Sequence, residues 1–144
     1  MKLSALALLG FVARECLGSD DMKLPNAIHQ MVELDDCDSE KMAKVLAAAG
    51  GTDMLNALDD PKSPQSGGTP LHLAAWKGKT ACVLTLLELG ANLEATNTHG
   101  WTPLHRAAEK GHLRALSFLL GAGAKPTARS SSKETPLHWA AAYR

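Results

Sequence analysis

The sequence predicts an all-α solenoid of helix-turn-helix repeats, with hairpin or loop fingers between repeats and a helical N-terminal cap. Three observations predict it. Gly68-Thr69-Pro70-Leu71-His72-Leu73-Ala74-Ala75 returns as Trp101-Thr102-Pro103-Leu104-His105-Arg106-Ala107-Ala108, and again as Glu134-Thr135-Pro136-Leu137-His138-Trp139-Ala140-Ala141, each copy 33 residues after the last. Behind the first two copies, apolar residues recur at helical spacing, as Val83, Leu86 and Leu87 and then as Leu116, Leu119 and Leu120. Glycines recur at the same period, Gly78 with Gly111 and Gly90 with Gly123, where helices must stop. A unit this short cannot bury its own apolar face, so it must stack on its neighbours.

The elements follow in order. In residues 1–18, Lys2 precedes the apolar run Leu3 to Ala13, which reads either as a signal peptide or as a buried capping helix. That run of eleven residues is too short to span a bilayer. Residues 19–63 form a helical region with a degenerate capping repeat. Leu24-Pro25 opens a helix carrying Ala27, Ile28 and Met31, with proline suited to its first turn. Asp38 or Ser39 caps the next helix, whose apolar face is Met42, Val45, Leu46 and Ala49. Asp53 is placed as the cap of a short third helix through Leu55 and Leu58. Lys62 to Gly68 reads as a flexible loop from its Pro, Ser and Gly content.

Residues 64–96 and 97–129 are full repeats. In each, the Thr-Pro pair starts the first helix, and Gly78 or Gly111 separates it from the second. Asn97-Thr98-His99-Gly100 forms the finger tip, with Gly100 where a tight turn needs positive φ. Residues 130–144 are a partial third repeat. Lys133 replaces the turn glycine there, which predicts a looser finger, and no second helix follows before Arg144. The expectation is an apolar helix face without its cover, with a weakly held end, a partly exposed Trp139 and self-association through that end. Leu71, Ala74, Val83, Leu86, Leu104, Ala107, Leu116 and Leu119 are the expected core.

Period and motif together resemble the ankyrin repeat. The resemblance implies that the Thr and His of each motif hydrogen-bond locally, that His112 is structural, and that a concave groove binds a protein partner. The groove positions it implies are the pairs after Ala-Ala and the finger tips. Among them the candidate binding residues are Trp76, Lys77, Thr98, His99, Trp101, Glu109, Lys110, Glu134 and Tyr143. Three of the chain's four Trp and Tyr residues fall on these positions, and such residues anchor many interfaces. Trp139 reads instead as packing. The expected function is non-catalytic protein–protein binding, as a scaffold, adaptor or inhibitor. The alternatives are a fragment of a larger multidomain protein (kinase, channel or ubiquitin ligase subunit) and a secreted effector-like binder.

Composition narrows the remaining classes. With 45% hydrophobic and 21% charged residues the chain is ordinary for a globular protein. The net charge is zero, yet residues 1–63 carry six basic against eleven acidic residues, and residues 64–144 nine against four. That asymmetry either helps the halves associate or steers an acidic partner to the repeats. Neither half has the dense basic stripe of a nucleic-acid binder, and no membrane association is expected. Cys16, Cys37 and Cys82 show no paired spacing, which predicts reduced cysteines, Cys82 in a core position, and an intracellular setting. The repeated histidines His72, His105 and His138 lie on successive layers and cannot converge on one metal. Asp35 to Glu40 lacks the glycine and terminal glutamate of a calcium loop. No GxSxG, GxGxxG or GxxxxGK[ST] occurs, so neither catalysis nor a cofactor is expected.

Overall fold

Each Thr-Pro pair starts a helix because proline has no N–H to leave unsatisfied and its φ already suits a first turn. A computed structural model of the chain describes residues 27–35, 37–48, 51–58, 62 and 67–142. The leader-like residues 1–18, the helix start at Leu24-Pro25, Ala49, most of the 62–68 loop and Tyr143 lie outside the described residues. The helices are α1 (Ala27–Glu33), α2 (Ser39–Ala48), α3 (Pro70–Lys77), α4 (Thr80–Glu88), α5 (Pro103–Lys110), α6 (Leu113–Gly121) and α7 (Pro136–Ala142), with a 3₁₀ turn at Thr52–Asn56.

Helices α1, α3, α5 and α7 pack successively into one row, while α4 and α6 pack into a second row behind them. Among the described residues there is no β-strand. Each described finger is instead a tight turn closed by backbone bonds. Asn97 N–H donates to the Trp101 carbonyl (3.0 Å), and Ser130 N–H to that of Glu134 (2.9 Å).

The motif histidine ties each layer to the next. Thr69 N–H donates to His72 Nδ1 (3.0 Å), and Thr102 N–H to His105 Nδ1 (3.1 Å). A ring nitrogen that accepts a backbone N–H carries no proton, so the proton sits on Nε2. That nitrogen donates across the layer, from His72 to the Trp101 carbonyl (2.7 Å) and from His105 to that of Glu134 (3.1 Å). Both rings are buried. Burial pushes the His72 imidazole down to about 4, against a partial restoring pull from the Trp101 carbonyl. Burial also lowers His105. His112 acts between layers too, donating from Nε2 to the Trp76 carbonyl (3.0 Å). Its ring sits where a Cβ on Gly78 would come within 2.6 Å, so that glycine allows the close approach as well as its φ of +69°.

The N-terminal region belongs to the same stack. His29 on α1 donates from Nε2 to the Gly68 carbonyl (2.9 Å), the task that His72 and His105 perform one and two layers on. Its partner lies 39 residues away rather than 29, so no fixed period reveals it. Asp38 is the cap of α2, its carboxylate accepting Lys41 N–H (3.0 Å), which holds that carboxyl below its ordinary range. Asp53 does not cap the 3₁₀ turn. Gly51 precedes the turn and Asp53 lies in its first turn, where an acid still suits the exposed N–H groups.

Three further expectations are corrected. Cys37 and Cys82 are joined in a disulfide, with Cα atoms 4.9 Å apart and a sequence separation of 45. Spacing could not disclose it, because the pairing is made by the packing of α4 against the α1–α2 turn. Lys133 does not loosen its finger: it takes φ of +64° and donates N–H to the Ser130 carbonyl (2.8 Å), as Gly100 does to Asn97 (3.0 Å). Leu116 is half-buried rather than core, since it lines an open apolar hollow with Leu120, Leu137 and Ala140 that no described residue fills. The other seven expected core residues are buried.

A side chain in the left-handed region costs roughly 1 kcal/mol against glycine. Lys133→Gly is therefore expected to raise stability by no more than about 0.5 kcal/mol, after the extra freedom of glycine in the unfolded chain is deducted. Urea denaturation midpoints measure it. A lower midpoint would show that the Lys133 side chain itself holds the finger.

Candidate functional site

Helices α3 and α5 both end at a left-handed glycine, Gly78 and Gly111, so the residues just before leave each helix at the same turn. These are Trp76 and Lys77 on one layer and Glu109 and Lys110 on the next. Lys110 Nζ lies 5.5 Å over the Trp76 ring, joining the layers. Glu109 accepts Arg106 at 3.0 Å and faces Lys110 at 3.6 Å, so one carboxylate serves two cations. The Arg106 guanidinium stands 4.6 Å over Trp101, and the Trp101 and Trp139 rings are tilted against each other at 4.5 Å. His99 completes the row, 6.0 Å from Trp101. Contacts of a cation with a ring are worth roughly 0.5–2 kcal/mol each, enough to hold the row in one arrangement.

The structure therefore brings together Trp76, Glu109, Lys110, Trp101 and His99 from the sequence-derived set. Lys77 stands at the edge, paired with Glu33 of α1 at 2.6 Å. Thr98 is exposed at the finger tip beside His99. The tip is held from beneath by buried Asn97, whose Oδ1 accepts the N–H of His99 and of Trp101 at 3.0 Å each. Ser131 N–H donates to the His99 carbonyl (3.0 Å), which locks this finger to the next. Glu134 serves first through its backbone, as the carbonyl acceptor of His105 and Ser130. Tyr143 is not among the described residues.

Arg106 was not a candidate, yet it joins the acid to the aromatics. A signal was present: Leu73, Arg106 and Trp139 occupy the same position of an otherwise constant motif. Variation inside constancy marks residues that the repeat itself does not need. Trp139 packs as expected, and its partner is Trp101.

A family model described as ankyrin repeats, three copies, matches residues 28–130 and 94–144. The chain belongs to the ankyrin-repeat family. The match starts inside α1, so the degenerate N-terminal pair is itself counted in the array, in keeping with the His29 bond across its layer. No curated protein matches the chain at a significant level. Ankyrin repeats are generally protein–protein interaction modules and generally non-catalytic. Among the described residues no helix is long and apolar enough to cross a membrane.

Proposed function

We propose that this ankyrin array is a non-catalytic binding module that takes an acidic segment of a protein partner along the row from Lys77 to His99. The observation that carries this reading is the continuous row of Trp76, Lys110, Trp101 and Trp139, built from neighbouring layers and left partly exposed over the buried Arg106 that links it. Aromatic rings offer a large contact area at little entropic cost, and Arg and Trp dominate interface energetics. Arg106 is buried and paired with Glu109, which leaves Lys110 and, at the edge, Lys77 as the cations the row presents, and the segment 64–144 carries a net charge of +5. Complementarity then selects an acidic partner and speeds its encounter.

The test begins with the full chain as bait and the captured protein as titrant. Trp76→Ala with Lys110→Glu is expected to weaken binding by at least about 2 kcal/mol, roughly thirtyfold, with the circular dichroism spectrum retained. Raising the salt should weaken the wild-type complex, whereas Arg114→Ala and Ser117→Ala, on the exposed face of α6, should leave it unchanged. Binding that survives the double variant and fails with the α6 variants would place the partner on the opposite face.

Self-association through the last repeat is a second reading, favoured by the exposure of Leu113 (77%) and Leu137 (75%) beside the apolar hollow. Sedimentation velocity across concentrations tests it, with Leu137→Lys expected to shift any dimer to monomer.

A further inference from the structure

The joint between the N-terminal helical pair and the first full repeat is tied by several side chains. Lys79 Nζ donates to the Val32 carbonyl (2.8 Å) and the Glu33 carbonyl (3.1 Å), covering the negative end of α1. It also pairs with Asp35 at 3.5 Å, and Lys77 pairs with Glu33 at 2.6 Å. Thr85 Oγ1 donates to the Cys37 carbonyl at 2.9 Å. These contacts hold Cys37 against α4, where Cys82 is fully buried. The Cα separation of 4.9 Å lies within the ordinary disulfide range, so closing the bond needs no backbone movement.

We propose that Cys37 and Cys82 are an oxidative modification site, a permanent disulfide staple that fixes the N-terminal unit to the repeats and is made in an oxidising compartment. The oxidant is a small-molecule or protein disulfide, such as glutathione disulfide. The half-buried Cys37 loses its proton and its thiolate attacks that disulfide, forming a mixed disulfide and releasing one glutathione thiol. Cys82 then loses its proton and attacks the Cys37 sulfur, forming the internal bond and releasing the second glutathione. Two thiols of the chain are oxidised and one glutathione disulfide becomes two glutathiones.

The reverse reaction is hindered at both sulfurs. Attack on Cys82 is blocked by its burial. Attack on the half-buried Cys37 leaves Cys82 held beside the resulting mixed disulfide, so the internal bond closes again. The bond is therefore a staple rather than a labile switch. Asp35, Cys37 and Cys82 also stand close enough to hold a thiophilic metal if both thiols were free, and the disulfide consumes that option.

The full chain, equilibrated in a glutathione buffer at the ratio of an oxidising compartment, is acid-quenched, alkylated, digested and weighed. The Cys37 and Cys82 peptides should appear as one cross-linked species that separates only on strong reduction. Reduction should lower the melting temperature by roughly 10 °C, from the size of the loop released. It should also speed amide exchange in Ala27–Glu33 and Ser39–Ala48 and leave Pro103–Lys110 unchanged. The Cys37→Ser/Cys82→Ser double variant should melt with the reduced wild type and ignore reductant. If that variant fails to fold, the exchange response of the wild type decides alone. Both cysteines alkylated from the folded chain in that buffer would overturn the proposal, and so would a cross-link whose loss leaves exchange in α1 and α2 unaltered. Free thiols with one bound zinc ion would overturn it too, assigning the three side chains to a metal.

Discussion

Lowering the pH from about 6.5 to about 4 is expected to remove about 3 kcal/mol of folding stability through His72 alone. The imidazole is buried between layers with both nitrogens committed, Nδ1 accepting from Thr69 and Nε2 donating to Trp101. Protonating Nδ1 removes that acceptor and puts a charge where water cannot reach it. The folded-state value is depressed, so between about 4 and 6.5 the unfolded chain binds more protons than the folded one. Stability is then fully present above the unfolded value and is lost as pH falls toward the folded one. His105, lowered by the same burial, adds in the same direction. Urea denaturation at half-unit pH intervals measures the slope. His72→Gln, which keeps a donor for the Trp101 carbonyl but does not titrate, should flatten most of it. An unchanged slope in that variant would mean that other groups carry the acid response.

Leu104→Ala should cost about 2–5 kcal/mol, the range for removing a buried leucine that leaves a cavity behind. Leu104 is 2% exposed, on a helix with neighbours in both directions along the row. Its counterpart in the next copy of the motif, Leu137, is 75% exposed. Leu137→Ala is accordingly expected to change stability by less than about 0.5 kcal/mol. Two identical residues at one motif position should thus differ severalfold in cost. Equal costs would mean that Leu137 is covered in solution, most directly by a second molecule, and would tie this measurement to the sedimentation experiment.

The features legible in the sequence are those whose causes lie within one repeat. Proline after threonine starts a helix, glycine in a left-handed conformation ends it, and histidine three residues after the threonine reaches back to the threonine N–H. Each depends on residues no more than a turn or two apart, so each leaves the same trace every 33 residues. Asp38 at the head of α2 is of this kind as well. The candidate row was half legible for the same reason. Trp76, Glu109 and Lys110 stand at a fixed offset from the Ala-Ala pair, whereas Arg106, already paired with Glu109 one turn on, reaches the aromatic rings only because it stands over Trp101 of the preceding finger.

Tertiary structure decided what depends on which layer lies next. Lys133 keeps the finger shape because the bonds to its neighbours outweigh the cost of a left-handed side chain. His29 finds Gly68 across a longer loop, and Cys37 finds Cys82 across 45 residues, through contacts that no local spacing encodes. Leu71, Leu104 and Leu137 share one motif position and are 0%, 2% and 75% exposed. Their chemistry is the same in all three. Burial belongs to the pair of surfaces that meet, and a single repeat supplies only one of them.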